Sequence, residues 1–497
     1  LFTLALPSPP ASSPLEGPNL ILVEAEHFDD LGGWVVDSQF MDQMGSPFLL
    51  AHGIGRPVAD ASTSVELSEA GSYRVWVRTR DWVAPWKAKG APGRFQLEIN
   101  GRTLATTFGT EGAEWHWQDG GMVDVAGTKL ALRLHDLTGF EGRCDAIVFS
   151  SDAEWTPPNG REELAAFRRR VLGLGGEIPE TGIYDLVVVG GGTAGTSAAV
   201  TAARLGLEVA LVQDRPVLGG NSSSEVRVWP EGHVNQEPYP RVGDVVMELV
   251  PERRADSRNA QGAHVFDDER KLRVVRAEER ITLYLEQRVN AARTTDGHIV
   301  SVTSQHVRSG QRLRIRGRWF LDSTGDGVVG FLAGADYEVT PTGHMGASNL
   351  WNIQCLCEDE EPLSSVLEQA CEDAAFPRCP WAVDLSERPF PGRTRGSTEP
   401  ETGASGPISL GNWYWENGFD RDPIADMERI RDQNLRAMYG AWDAIKNVEG
   451  RYPAHRLNWV AYIAGKRESR RLLGDVILTA EDLRDGRVFE DGCFPCT

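Results

Sequence analysis

The stretch from Tyr184 to Asn221, YDLVVVGGGTAGTSAAVTAARLGLEVALVQDRPVLGGN, constrains the fold more than any other part of the chain. Leu186 to Val189 is a short apolar run rich in β-branched residues, which reads as a buried parallel strand. Gly190, Gly192 and Gly195 follow at G-x-G-x-x-G spacing. The first permits a tight turn, the second lets backbone approach a pyrophosphate, and the third lets the next helix lie close to the strand. Ala194 to Leu205 is small, apolar and helical in pattern, and its N-terminus points amides and a positive dipole end at the phosphates. Gly206 ends the helix, and Leu207 to Val212 is a second strand. Strand, glycine turn, helix and strand in this order are the setting a dinucleotide site requires. One position departs from the pattern. The ribose-binding acid expected at the end of the second strand is Gln213, with Asp214 next; Gln213 can hydrogen-bond a ribose hydroxyl through its amide but carries no charge.

A chain of 497 residues holds about two to four domains. Its net charge of −21 argues against nucleic acid or anionic lipid as the main partner. The opening LFTLALPSPPASS has the form of the back half of a signal peptide, so an exported protein, periplasmic or extracellular, is expected; a disordered leader is the other reading. No later apolar run approaches the ~20 residues of a membrane span. Seven scattered cysteines do not make a disulfide scaffold.

Residues 20–152 read as all-β. Alternating runs recur at Leu20 to Ala25, Ser64 to Leu67, Tyr73 to Val77, Arg94 to Ile99, Leu130 to Leu134 and Ala146 to Ser150, separated by turn signals, which predicts a β-sandwich. Trp76 sits inside a strand pattern, whereas Trp82, Trp86, Trp115 and Trp117 lie in loop-like sequence. Either these rings pack in the core or they stack on sugar faces. VEAEHF at the start and RCDAIVFSSD at the end resemble the first and last strands of carbohydrate-binding modules of the β-jelly-roll type. That resemblance implies a structural calcium held by Glu24, Glu26 and Asp145, whose oxygens suit a hard cation; surface carboxylates without metal are the alternative. Residues 153–181 read as a linker, with a breaker cluster at Pro157 to Gly160 and a helix over Arg161 to Leu172 whose arginines form a solvated or docking face.

Beyond residue 182 four blocks occur in order: GGGTAGTSAA, QDRPVLGGNSSSEVRVW, LDSTGDGVVGFLAGADY and GKRESRRLLGDVILTAEDL. Together they resemble the FAD-dependent oxidoreductase family, related to the flavin module of heterodisulfide reductase. The resemblance implies FAD, with phosphate contacts at Gly190, Gly192 and Gly195 and a ribose contact at Gln213. It sets Arg215, Gly219, Gly220 and Asn221 along the cofactor and Asp326 on its ribityl–pyrophosphate side. Glu225 and Arg227 fall on one side of an extended segment; near a flavin Arg227 can stabilise a reduced anionic ring or orient an acidic substrate, and an ordinary ion pair is the competing reading. Ile281 to Leu285 and His298 to His306 read as strands of a β-meander, with a hairpin turn at Asp296-Gly297.

Residues 341–455 fit a substrate or cap region inserted in the flavin fold, carrying His344 and His455 as candidates for proton transfer, an acidic stretch from Glu358 to Glu361 and the aromatic run Trp413-Tyr414-Trp415. A helical pattern from Leu457 leads into Arg467 to Arg471, where the chain returns to the FAD-binding unit over 456–497. Cys493 and Cys496 have C-x-x-C spacing, but one pair is too few thiolates for an iron–sulfur cluster, and none is expected. Relatives complete the FAD site with a further strand, helix and glycine turn; without it, this chain is expected to be incomplete at its C-terminus.

The expected architecture is therefore multidomain: a leader over 1–19, an N-terminal all-β sandwich of jelly-roll-like type over 20–152, the linker, an α/β Rossmann-type FAD-binding unit over 182–340, and an inserted α+β cap. The expected activity is FAD-dependent oxidation, by hydride transfer from a hydroxyl-bearing carbon of a saccharide or related small molecule, to an acceptor the sequence does not name. A redox-assisted polysaccharide lyase and a non-catalytic carbohydrate-binding protein with a vestigial flavin fold are the rival readings.

Overall fold

The computed structural model describes residues 19–230, 240–250, 262–356, 369, 372–387, 408–411, 415–487 and 489. The leader, the acidic stretch Glu358 to Glu361, Trp413, Tyr414, Cys357, Cys371, Cys493 and Cys496 lie outside the described residues.

The N-terminal part comprises β1 (Leu20–Glu24), β2 (Val35–Asp37), β3 (Phe48–Ala51), β4 (Ala61–Glu66), β5 (Gly71–Thr79), β6 (Phe95–Ile99), β7 (Arg102–Thr103), β8 (His116–Val125), β9 (Lys129–Asp136), β10 (Gly142–Cys144) and β11 (Ala146–Ser150). These strands form antiparallel sheets ordered β1-β11-β5-β8, β4-β9-β6-β7 and β10-β3-β2. In β9 the alternation of KLALRLHD is fully expressed: Leu130, Leu132 and Leu134 are buried and the residues between them exposed. They share one apolar core with Val75, Val77, Ile147 and Phe149 of the first sheet. The alternating runs read from the sequence all fall on these strands. The β10-β3-β2 sheet was not legible, because its strands are short and β3 is buried throughout.

The tryptophans settle as packing residues. Trp76, Trp82, Trp115 and Trp117 are all buried, and Trp86 lies beneath the guanidinium groups of Arg429 and Arg436, 5.6 and 4.7 Å from its ring. No sugar face can reach rings so covered, so the stacking reading is withdrawn for Trp82, Trp115 and Trp117, and Trp76 packs in the core as expected. Trp82 and Trp115 are buried because a second body packs over them. Trp82 and Phe140 join Trp381, Leu435, Tyr439 and Trp442 in one apolar cluster, while Trp115 and Phe48 meet Met427 and Ile430.

Helix α1 (Met41–Met44) is a single turn between β2 and β3. Helix α2 (Arg161–Val171) buries Leu164 and Phe167 against Leu22, Trp76 and Val148. Its arginines are not all solvated: Arg168 is buried.

The second body is organised by β12 (Glu180–Val189), α3 (Thr193–Arg204), β13 (Val209–Val212), β14 (Ile281–Tyr284), β15 (Gln287–Thr295), β16 (His298–His306) and β17 (Arg312–Asp322). The sheet order is β14-β13-β12-β17-β16-β15. The first four strands pair in parallel and the last two antiparallel, a Rossmann-type arrangement with a hairpin on one edge. Asp296 and Gly297 turn that hairpin with φ of 49° and 76°. β14 extends the parallel edge instead of joining a meander, since its partner is β13.

Strand Trp351–Cys355 pairs antiparallel with strand His455–Val460, and helix Met427–Asp443 packs beside them. The helix read from Leu457 is thus a strand. Leu457 and Val460 are buried in the aromatic cluster, and a ladder to residues 351–355 claims the backbone.

A buried ion cluster joins the two bodies. Arg143 meets Glu428 at 2.5 Å and Asp432 at 2.6 Å, Arg80 meets Glu428 at 3.0 Å, and Arg431 meets Asp37 at 2.9 Å and Asp432 at 2.8 Å.

Candidate cofactor cleft

Gly190 ends β12 with φ +103°, and a Cβ there would stand 2.3 Å from the Ser323 carbonyl oxygen. Gly195 lies one turn into α3, where a Cβ would stand 1.9 Å from the Gly190 carbonyl oxygen. Helix and strand therefore touch backbone to backbone, which only glycine permits. Gly195→Val is expected to separate them and to lower FAD retention at least about tenfold, or ~1.4 kcal/mol. Absorbance of the protein after gel filtration in FAD checks this; unchanged retention would show that the turn is not the binding element.

α3 starts at Gly192 without a side-chain cap, so the amides of its first turn are left for a ligand. Opposite stands a second glycine turn, whose Gly219 N–H donates to the Gly191 carbonyl at 2.8 Å. A Cβ on Gly192 would meet nothing nearer than Gly220 Cα at 4.0 Å. Uncapped amides over an open gap fit the pyrophosphate of a dinucleotide.

The cleft encloses about 370 Å³. Of the residues predicted from sequence, Gly190, Gly192, Gln213, Arg215, Gly219, Gly220, Asn221 and Asp326 line it, and Gly195 lies outside the lining, against Gly190. Ser38, Gln39 and Lys466 are among the lining residues that went unpredicted. Lys466 pairs with the Asp326 carboxylate. Burial opposes that negative charge, but Lys466, Ser469 and Arg288 outweigh it and hold the Asp326 carboxyl below its usual range. Gln39 fastens the wall around it. Its amide donates to the Tyr462 carbonyl at 3.0 Å and accepts from the Ala464 N–H at 2.8 Å. No local sequence signal announces this contact, because the partners are 425 residues apart.

Gln213 is 3% exposed and its amide is committed. Its oxygen accepts from the Gly191 N–H at 2.8 Å, and its nitrogen donates to the Val217 carbonyl at 3.1 Å. The predicted ribose contact is thus a brace for the glycine turn. The adjacent acid, Asp214, pairs with Arg288 at 2.8 Å, and Arg288 also meets Asp42 at 2.7 Å. Gln213→Ala leaves the Gly191 amide without its acceptor and is expected to cost about 1–3 kcal/mol, together with weaker FAD retention. A melting temperature equal to that of the parent would overturn the brace.

The three residues assigned to catalysis do not line the cleft. Glu225 reaches it only through Arg215, at 3.2 Å; burial raises its carboxyl against the pull of Arg215. Arg227 turns back with φ 62°, donates to the Ser224 carbonyl at 2.9 Å and stacks 3.8 Å from the Trp459 ring centroid. Burial brings its guanidinium down to about 10 despite Asp268. His344 is buried with Nδ1 against the Met345 carbonyl and Nε2 against the Arg421 carbonyl, each at 2.9 Å. Neither nitrogen is left for a substrate. His455 lies on the strand beside Tyr452, also away from the cleft.

Glu24, Glu26 and Asp145 do converge, all buried, but a guanidinium fills their centre. Arg168 meets Glu24 at 2.8 Å and Asp145 at 2.7 Å, and Arg78 meets Asp145 at 2.7 Å. Among the described residues no group of three or more His, Cys, Asp and Glu is arranged to hold a metal. The calcium expectation is corrected accordingly: the acids keep an internal counter-charge supplied by α2. Burial pushes Glu24 up to about 7, with Arg168 opposing and Asp145 adding, and Glu26 is also raised.

The model of the family described as FAD dependent oxidoreductase matches residues 185–493. The chain belongs to this family. Its matched region holds the glycine turns, α3 and the strands that frame the cleft, so the group to be held there is FAD, which supplies a two-electron acceptor when bound. No curated protein matches the chain. Among solved structures, L-proline dehydrogenase from P. horikoshii is similar at 19% identity over 36% of this chain and 26% of that one, with a TM-score of 0.19. The Mycobacterium smegmatis Sdh1 complex in the apo form is similar at 14% identity over 54% of this chain and 69% of that one, TM-score 0.30. A family 35 carbohydrate binding module from Clostridium thermocellum is similar at 13% identity over 26% of this chain and 96% of that one, TM-score 0.22. The chain spans between 26% and 49% of the first three structures it matches.

Proposed function

We propose that this flavoenzyme oxidises a hydroxyl-bearing carbon of a saccharide or a related small molecule. The reading takes the N-terminal sheets as a jelly-roll-like sandwich of carbohydrate-binding type and residues 341–455 as the substrate-side cap. One observation carries it: Ser38 and Gln39 of the N-terminal region line the cofactor cleft. The region that resembles a carbohydrate-binding module is thus built into the redox cleft, where the Ser38 hydroxyl suits a polyhydroxylated substrate. Lys466 and the uncapped amides of α3 would hold the FAD pyrophosphate.

The test is the visible spectrum of the full-length protein purified without added cofactor, followed by anaerobic addition of mono- and oligosaccharides. Flavin bands that bleach with a saccharide support the reading. Bands that no saccharide bleaches leave a flavoenzyme with a different substrate and sink the sugar assignment.

A further inference from the structure

A larger cavity lies outside the cofactor cleft. It encloses about 680 Å³ between the N-terminal sheets, α2 and the hairpin edge of the six-stranded sheet. Its two sides differ in chemistry. One is apolar and aromatic, with Phe331, Leu332 and Tyr337, and the Arg470 guanidinium lies 4.1 Å from the Phe331 ring centroid. The other carries Arg169 and Arg312.

Six arginines line the groove against four carboxylates, those of Glu24, Glu26, Asp42 and Asp422. Arg168 is matched by Glu24 and Asp145, and Arg288 by Asp42 and Asp214. Neither Arg169, Arg312 nor Arg470 has a carboxylate within ion-pair distance among the described residues. Burial and the neighbouring charges of Arg169 and Arg314 draw Arg312 below its ordinary range, as expected where like charges crowd without a counter-ion. In a protein of net charge −21 such a cluster stands out.

Buried polar atoms at the groove wall also lack partners: Glu26 Oε2, His27 Nε2 and Gln43 Oε1. Glu26 is 2% exposed, and burial, with the neighbouring acids Glu24 and Asp145, raises its carboxyl well above the ordinary carboxylate range. Buried groups are ordinarily satisfied, and these three sit on residues that line this one cavity.

We propose that this groove is a second small-molecule site, taking an amphipathic oxyanion: a carboxylate or phosphate ester whose apolar or aromatic body lies against Phe331 and Tyr337 and whose anionic head meets Arg169 and Arg312. The cavity volume is in the range of small-molecule sites. Arg288 and Val328 line both cavities, so an occupant here touches the wall of the cofactor cleft. This site does not depend on the saccharide reading.

The experiment is calorimetric titration of the full-length protein, saturated with FAD, with phenyl phosphate, benzoate, inorganic phosphate and benzyl alcohol. Saturation of the cofactor cleft keeps the probes out of it. The expected result is saturable binding of phenyl phosphate or benzoate, at least tenfold tighter than benzyl alcohol. Phenyl phosphate binding tighter than benzoate would mark a phosphate ester as the head group, and the reverse a carboxylate. Inorganic phosphate is expected to bind more weakly than phenyl phosphate, lacking the apolar body. The double variant Arg169→Gln/Arg312→Gln is expected to lose at least tenfold in anion affinity while its flavin absorbance is kept. Ala165→Phe, which narrows the groove without changing charge, is expected to lose binding as well. Absence of saturable binding, equal binding of benzyl alcohol, or anion affinity unchanged in both variants overturns the proposal.

Discussion

Arg431→Met is expected to destabilise the protein by about 3–5 kcal/mol, because it strands buried charge. Arg431 is 0% exposed and holds Asp37 and Asp432. The cluster balances Arg80, Arg143 and Arg431 against Asp37, Glu428 and Asp432. Removing Arg431 leaves one negative charge in excess, and Asp37 keeps only the Gln39 hydrogen bonds at 3.0 and 3.1 Å. The loss is expected to reach the cofactor, since Gln39 lies two residues beyond Asp37 and lines the cleft. Urea denaturation and flavin retention measure the two effects. The double variant Arg431→Met/Asp37→Leu removes the stranded acid and is expected to recover most of the stability. A single variant within about 1 kcal/mol of the parent would show that the joint rests on its apolar clusters alone.

Arg168→Met carries the second large expectation, again about 3–5 kcal/mol. Glu24 and Asp145 lose the guanidinium between them, and Asp145 keeps Arg78 and the Ser46 hydroxyl. The sign of the pH dependence follows from Glu24. Its folded-state value of about 7 lies above the ordinary 4.5, so its protonated form is favoured by folding. That contribution is complete below pH 4.5 and is lost as pH rises to about 7. His52 acts in the same direction. Burial lowers it, but Glu141 and the Val460 carbonyl outweigh burial and raise it above 6.5, so its contribution too is lost as pH rises. Arg168→Met should therefore be most damaging at pH 8 and least at pH 5, and Glu24→Gln should flatten the difference. Melting temperatures across that range decide it. Chelation of calcium is expected to leave the parent's melting temperature unchanged, since Arg168 already balances the acids; a fall of several degrees would restore the metal.

The sequence made the cleft floor legible and the joint illegible. Gly190, Gly192 and Gly195 announce themselves because a turn, a phosphate approach and a helix contact each demand glycine locally. The strands around Leu130, Leu132 and Leu134 are equally plain from their alternation. By contrast, Arg168 looks like one more arginine on a charged helix until the cage it enters is assembled around Glu24 and Asp145. Trp82 and Trp115 look exposed in loop-like sequence until helix Met427–Asp443 covers them. Gln213 keeps its predicted place but not its predicted task, because its amide is short enough to satisfy the turn beside it. Arg168, Trp82 and Trp115 are decided by partners far along the chain, and periodicity carries no information about them.

The bond from Ala464 to Gln39 also bears on how the protein is made. One wall of the cleft is pinned by Gln39 and the other by residues more than 400 positions later. The N-terminal sheets can collapse while still attached to the ribosome, but the clamp cannot close until residues 462–464 have been synthesised. At about 5–20 residues per second, the stretch from the end of β11 at Ser150 to Ala464 takes ~15–60 seconds. For that time the faces of Trp82, Phe140 and Trp115 destined for helix Met427–Asp443 are uncovered. The length of that exposed window is therefore set by translation speed, and the cleft closes only long after the sheets that supply one of its walls.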